Sequence, residues 1–129
     1  MLVRMILAFF AILLLARSGN AAEDCQSLGF EGREQIVRQA PSCDKANASF
    51  AACAYGAGGD TSLAQIVIEK CEGGFLNTLS KAQRRSYDRG MKRCEAKYEH
   101  EDGTMYRAMA AGCRANLAQS YAHKFGKVR

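Results

Sequence analysis

All six cysteines of this 129-residue chain, Cys25, Cys43, Cys53, Cys71, Cys94 and Cys113, follow an apolar leader, and that placement constrains the fold more than any other feature. The leader, residues 1–22, carries Arg4 as a positive n-region, an unbroken apolar run from Met5 to Ala16, and the small residues Gly19-Asn20-Ala21-Ala22 for cleavage. This is the anatomy of a secretory signal peptide. Arg4 and Arg17 bound the run short of the ~20 apolar residues that a membrane anchor needs. Ala22-Glu23-Asp24 ahead of Cys25 is not the small-residue box of a lipid-modified cysteine. The sequence therefore reads as a soluble mature chain, residues 23–129, periplasmic or secreted. An even cysteine count in an exported chain of this size predicts three disulfides within a single domain. Metal binding is the poorer reading, because no C-x-x-C pair occurs and no histidine stands at zinc-finger spacing.

Helical periodicity fills the rest. Residues 31–39 make about two turns, stopped by Pro41, the only proline, since the residue before a proline is driven out of the helical region. Ser42 or Asp44 caps a second helix with Ala46, Phe50, Cys53 and Ala54 on one face, and residues 55–59 (YGAGG) end it. Asp60 is expected to cap a third, with Leu63, Ile66, Val67, Cys71 and Phe75 inward; Gly73-Gly74 weakens it by about 1 kcal/mol per glycine, implying a kink or a close neighbour. Residues 80–125 read as a helical hairpin turning at Glu101-Asp102-Gly103-Thr104. Ser80-Lys81-Ala82-Gln83 forms a capping box at its start. Its first arm aligns Tyr87, Met91, Cys94 and Tyr98, and its second Tyr106, Met109, Ala110, Cys113, Leu117 and Tyr121. Residues 124–129 read as a frayed tail. Period-two alternation of β-branched residues is absent, so the expected fold is all-α: a small disulfide-stapled helical bundle built from helical hairpins.

Antiparallel arms rise equally per residue, so bridged cysteines must lie about equally far from the turn between them. Cys94 and Cys113 are centred on the Gly103-Thr104 turn, which pairs them. Cys43 balances Cys71 about the glycine loop, and Cys25–Cys53 is centred beside the Pro41 corner. The preferred scheme is thus Cys25–Cys53, Cys43–Cys71 and Cys94–Cys113. A serial scheme, Cys25–Cys43 and Cys53–Cys71, is the alternative.

Little in the chain points to catalysis. His100 and His123 are the only histidines, and neither stands in a recognisable arrangement with a serine or free thiol, so no enzyme activity and no cofactor are expected. Glu99, His100, Glu101 and Asp102 at the hairpin tip are candidate turn contacts, better read as a solvated turn than as a calcium site. The glycine loop lacks the order of a phosphate-binding loop. The strongest charge feature is the outward face of the hairpin's first arm: Lys81, Arg84, Arg85, Arg89 and Lys92. Such a face suits phosphorylated envelope glycans, anionic lipid head groups or an acidic protein surface. Losing Arg4 and Arg17 with the leader takes 18 basic residues to 16 against 13 acidic ones, too mild an excess to expect nucleic acid as a partner. Asn47-Ala48-Ser49 is a formal glycosylation sequon, meaningful only in a eukaryotic secretory pathway and expected to be unmodified.

Ala82-Gln83-Arg84, Cys94 eleven residues after Gln83, the Gly103-Thr104 turn and Cys113 occur in the register of the LprI-type lysozyme inhibitors, a bacterial family of small exported Cys-rich helical domains. Residues 79–121 resemble that family. The family's tryptophan position falls near Ser86, with Tyr87 beside it, and its Arg-Asp pair is represented by a shifted Asp88-Arg89. The resemblance implies binding to a lysozyme, or another envelope protein, and occlusion of the lysozyme's carboxylate-bearing cleft. The glycine loop, residues 56–60, or the tip, residues 99–102, would enter that cleft. The competing expectation is a non-inhibitory envelope protein: a scaffold, a chaperone-like bundle, or a binder of anionic polymer through the basic face.

Overall fold

The computed structural model describes Cys25 and residues 27–126; the leader, and the signal-peptide reading with it, lies outside the described residues, as do residues 127–129. Five α-helices follow in order: α1 (Phe30–Gln39), α2 (Cys43–Cys53), α3 (Asp60–Phe75), α4 (Lys81–Ala96) and α5 (Thr104–Phe125), with a 3-10 turn over Leu76–Thr78 between α3 and α4. No strand occurs among the described residues, and the fold is the disulfide-stapled all-α bundle expected.

Local chemistry sets the boundaries. The Ser42 hydroxyl accepts the Lys45 N–H at the start of α2. Ser80 and Gln83 form the reciprocal capping box at the start of α4, at 2.8 and 3.3 Å. Gly103, at φ +118°, supplies the turn into α5 that an L-side chain would resist.

The bridges are Cys25–Cys53, Cys43–Cys71 and Cys94–Cys113, with Cα–Cα distances of 5.1, 4.7 and 5.6 Å, and the serial alternative is excluded. Two of them interleave to lock α1, α2 and α3 together, and the third staples α4 to α5. Packing joins the two halves. Helix α3 is the centre: Leu63, Ala64, Ile66, Val67, Ile68, Cys71 and Phe75 are all buried. Its largest contact is with α5 across the divide. At its C-terminal end Phe75, Tyr87 and Tyr121 stack as a cluster, with centroids 4.9 to 5.9 Å apart. The Tyr87 hydroxyl donates to the Glu72 carboxylate at 2.8 Å.

Four expectations are corrected. Asp60 does not cap α3: Gly59 holds the cap position, and the Asp60 carboxylate turns back into the preceding loop. Gly73 and Gly74 admit no close neighbour: α3 runs on through both, and beyond the helix's own backbone a Cβ at either would meet no heavy atom within 4 Å. On α5 the buried stripe is Ala108, Ala111, Ala115 and Ala118, while Met109 is 46% exposed. Helix α5 lies between α3 and α4, and alanines let it approach α3 closely, whereas Leu117 and Tyr121 fill the flank partway. The helix also continues through Lys124 and Phe125, with the Phe125 ring against Tyr121.

Candidate functional site

Three surfaces hold the chemistry of this molecule. The first gathers, at one end, two segments far apart in sequence. The 55–59 loop leaves α2 and is pinned by Asp60, whose buried carboxylate accepts the N–H groups of Tyr55 (3.0 Å), Gly56 (2.6 Å) and Ala57 (3.1 Å). A Cβ on Gly58 would lie 3.6 Å from the Thr104 methyl, so this loop abuts the start of α5 directly after the acidic tip. Glu99, His100, Glu101 and Asp102 are all exposed there, flanked by the exposed cations Lys97 and Arg107. Around the same end Tyr55 is 52% exposed and Met105 50%. The Tyr55 ring lies on the Arg33 guanidinium, 4.4 Å from centroid to Cζ, and Arg33 itself donates to the Cys53 carbonyl. Phe30, also exposed, sits against Gly59. The result is an apolar and aromatic patch with an acidic edge.

The second surface is the outward side of α4. Lys81, Arg84, Arg85, Arg89 and Lys92 are all exposed. Arg84 pairs with Asp88 at 3.2 Å, and among the described residues the other four make no ion pair. The sequence placed this face correctly because Tyr87, Gly90 and Cys94 turn inward on the opposite side of the helix.

At the far end of the bundle lies a groove of about 760 Å³. The first turn of α2, the last turns of α3 and the end of α5 form its walls. On one rim His123 Nε2 approaches Asp44 Oδ1 at 2.5 Å, and Gln119 donates to the same carboxylate oxygen at 2.7 Å. These bonds hold the Asp44 carboxyl below its ordinary range, the Gln119 bond foremost and the His123 bond next. Gln119 and Asn116 in turn accept from Asn47 Nδ2, at 2.6 and 2.9 Å. Asn47 is buried with both amide hydrogens engaged, so a glycan on it would displace these bonds.

No family model, no curated protein and no solved structure matches this chain. The resemblance at the hairpin therefore stands on its residues alone. The groove and its Asp44–His123 pair were missed in the sequence, because 79 residues separate the partners and only the antiparallel register of α2 against α5 brings them together. All six cysteines are bridged, which fits folding in an oxidising compartment. Among the described residues no helix is long and apolar enough to cross a membrane, and no group of three or more His, Cys, Asp or Glu side chains is placed to hold a metal.

Proposed function

We propose that this chain is an exported, non-catalytic protein-binding domain, periplasmic or secreted, that holds a lysozyme at its cleft and protects a bacterial cell wall. The observation that carries the reading is the convergence of the glycine loop and the acidic tip, the two segments suited to entering a cleft, on one end beside exposed Tyr55 and Met105. Aromatic, methionine and arginine side chains are the groups enriched at protein interfaces, where tyrosine and arginine commonly act as anchors. The three N–H bonds to Asp60 fix the loop before any partner arrives, which lowers the entropy lost on binding. Many lysozymes are basic; although the chain is mildly basic overall and Lys97 and Arg107 flank this end, Glu99, Glu101 and Asp102 give the tip itself the complementary sign.

A cell-wall turbidity assay tests the reading. Micromolar protein should slow lysis by at least one lysozyme class. The pair Glu101→Lys and Asp102→Lys should weaken that protection about tenfold or more with the melting temperature unchanged, and Tyr55→Ala should weaken it likewise, with only the small loss of stability expected from its Arg33 and Cys25 contacts, on the scale of hot-spot losses. Absence of protection against every lysozyme class tried removes the reading.

A second reading, a binder of phosphorylated glycans or anionic lipid head groups, is favoured by Lys81, Arg85, Arg89 and Lys92 on α4, which make no ion pair among the described residues. It requires association that weakens with added salt and with the charge reversals Arg85→Glu and Arg89→Glu. Salt-independent behaviour eliminates it.

A further inference from the structure

One row of side chains along α4 and its C-terminal cap runs against the electrostatics of its own helix. Lys81, Arg85, Arg89, Arg93 and Lys97 follow one another at intervals of four residues, and all five are exposed. Side chains four apart on a helix are neighbours, so every successive pair in the row sets like charges side by side, which destabilises the helix. Lys81 adds to that cost, because it stands at the N-terminal end, where the helix dipole is already positive. The fold does not offset it. Among the described residues none of the five makes an ion pair, and both acids of α4 are engaged elsewhere, Asp88 with Arg84 at 3.2 Å and Glu95 with Arg114 at 3.3 Å.

The row, about 24 Å long at the α-helical rise, ends beside an apolar groove. This groove, of about 410 Å³, follows the seam between α4 and α5, and its floor is Gly90, the Cys94–Cys113 bridge and Leu117. It stays open because of what α4 presents there. Glycine and a bridged cysteine extend no side chain across the seam, and Gly90 admits none, since a Cβ would fall 2.7 Å from Leu117 Cδ2. The α5 wall is neutral, and its Ser120 hydroxyl donates to the Asn116 carbonyl at 2.9 Å. The charged residues that line the groove are Arg93 and Lys97, the last two of the row. An apolar trough therefore opens onto the end of a cationic ridge.

We infer that this side of the molecule docks on an anionic lipid surface, with an acyl chain of one lipid laid in the α4–α5 groove, its phosphate on Arg93 and Lys97, and the rest of the row over neighbouring head groups. A linear polyanion would neutralise the row and leave the groove empty, and a neutral lipid would fill the groove and leave the row unpaired. An anionic amphiphile answers both. The groove volume lies within the ~300–1,000 Å³ range of small-ligand sites. The inference rests on the anion-binding reading of α4 and names the occupant.

The first test is co-sedimentation of the disulfide-intact mature protein, freed of the apolar leader so that the leader cannot itself bind lipid. Vesicles of phosphatidylglycerol in phosphatidylcholine should bind it at least about tenfold more tightly than phosphatidylcholine alone, a preference that falls as salt is added. Arg93→Gln and Lys97→Gln should each weaken that binding about fivefold, the scale for one basic side chain at an anionic surface, while melting stays cooperative. The groove is tested by NMR. Dihexanoyl phosphatidylglycerol should saturably shift the Gly90 and Cys94 amides and the Leu117 methyls, whereas glycerol 3-phosphate, an anion of the same kind without chains, should leave the Leu117 methyls unmoved. Equal binding to the two kinds of vesicle, or Leu117 methyls unmoved by the short-chain lipid, overturns the inference. If the anionic vesicles fail while inorganic polyphosphate still binds in a salt-dependent way, the anion-binding reading of α4 stands without a lipid; if none of these probes binds, both fall.

Discussion

Asp60 and Tyr87 are each nearly sealed from solvent, at 2% exposure, and each organises more than its own position. Asp60→Ala would leave three loop N–H groups without their acceptor, at about 1–3 kcal/mol for each group that water does not reach. Denaturant unfolding should show a loss of at least about 2 kcal/mol on that scale, and hydrogen exchange at Gly56 and Ala57 should quicken. Tyr87 makes a pH prediction. Burial first, and the hydrogen bond to Glu72 next, push its phenol far above the ordinary range. The fold favours the neutral phenol, so this stabilisation is complete below the unfolded pKa of about 10 and is lost as pH climbs through the raised folded value. Urea midpoints should therefore fall above about pH 10. Tyr87→Phe should flatten that fall and lower stability at pH 7 by about 1–2 kcal/mol, since Glu72 loses its donor. An unchanged alkaline limb in Tyr87→Phe would refute the assignment.

Helices with one bulky stripe were legible in the sequence, and the helix with two neighbours was not. Helix α4 has Tyr87 and Cys94 buried on one side and a row of cations on the other, so its phase could be read directly. Helix α5 has its bulky residues on a flank and alanines at its main contact, and alanine is equally at home inside and outside. The phase was therefore misread by following Tyr106 and Met109. Asp60 was misread for a different reason: a carboxylate at a helix start can reach forward as a cap or back into the loop, and only the loop's path decides. The bridges were legible because each preferred pair is centred on or balanced about a turn, whereas the groove depends on three helix ends meeting, which no local pattern encodes. Substitution tests the phase of α5. Ala111→Leu and Ala115→Leu, which overpack the α3 contact, should cost about 1–3 kcal/mol or more, whereas Met109→Gln should stay within about 0.5 kcal/mol. Calorimetric melting of the three variants checks both halves of the prediction.

At the scale of the molecule, covalent links close each half while only packing joins them. Cys25–Cys53 and Cys43–Cys71 each span 28 residues and Cys94–Cys113 spans 19, so each should stabilise by about 3–4 kcal/mol in the chain-entropy description. Together that is about the whole net stability of a small domain, roughly 5–15 kcal/mol. The first two loops overlap, so once either is closed the other restrains a shorter free segment, and their contributions should fall short of additive. The halves nonetheless cannot unfold separately, because the alanine face of α5 and the Tyr87–Tyr121 pair form one core with α3. Three consequences follow for melting measured by circular dichroism. The oxidised protein should unfold in a single transition. The paired variants Cys25→Ser with Cys53→Ser and Cys94→Ser with Cys113→Ser should each melt lower but still cooperatively. Full reduction should abolish the cooperative transition at 37 °C and leave residual helix without fixed packing. A reduced protein that melts at the oxidised temperature would mean that the helix contacts alone suffice, and the bridges would then have to be explained by something other than stability.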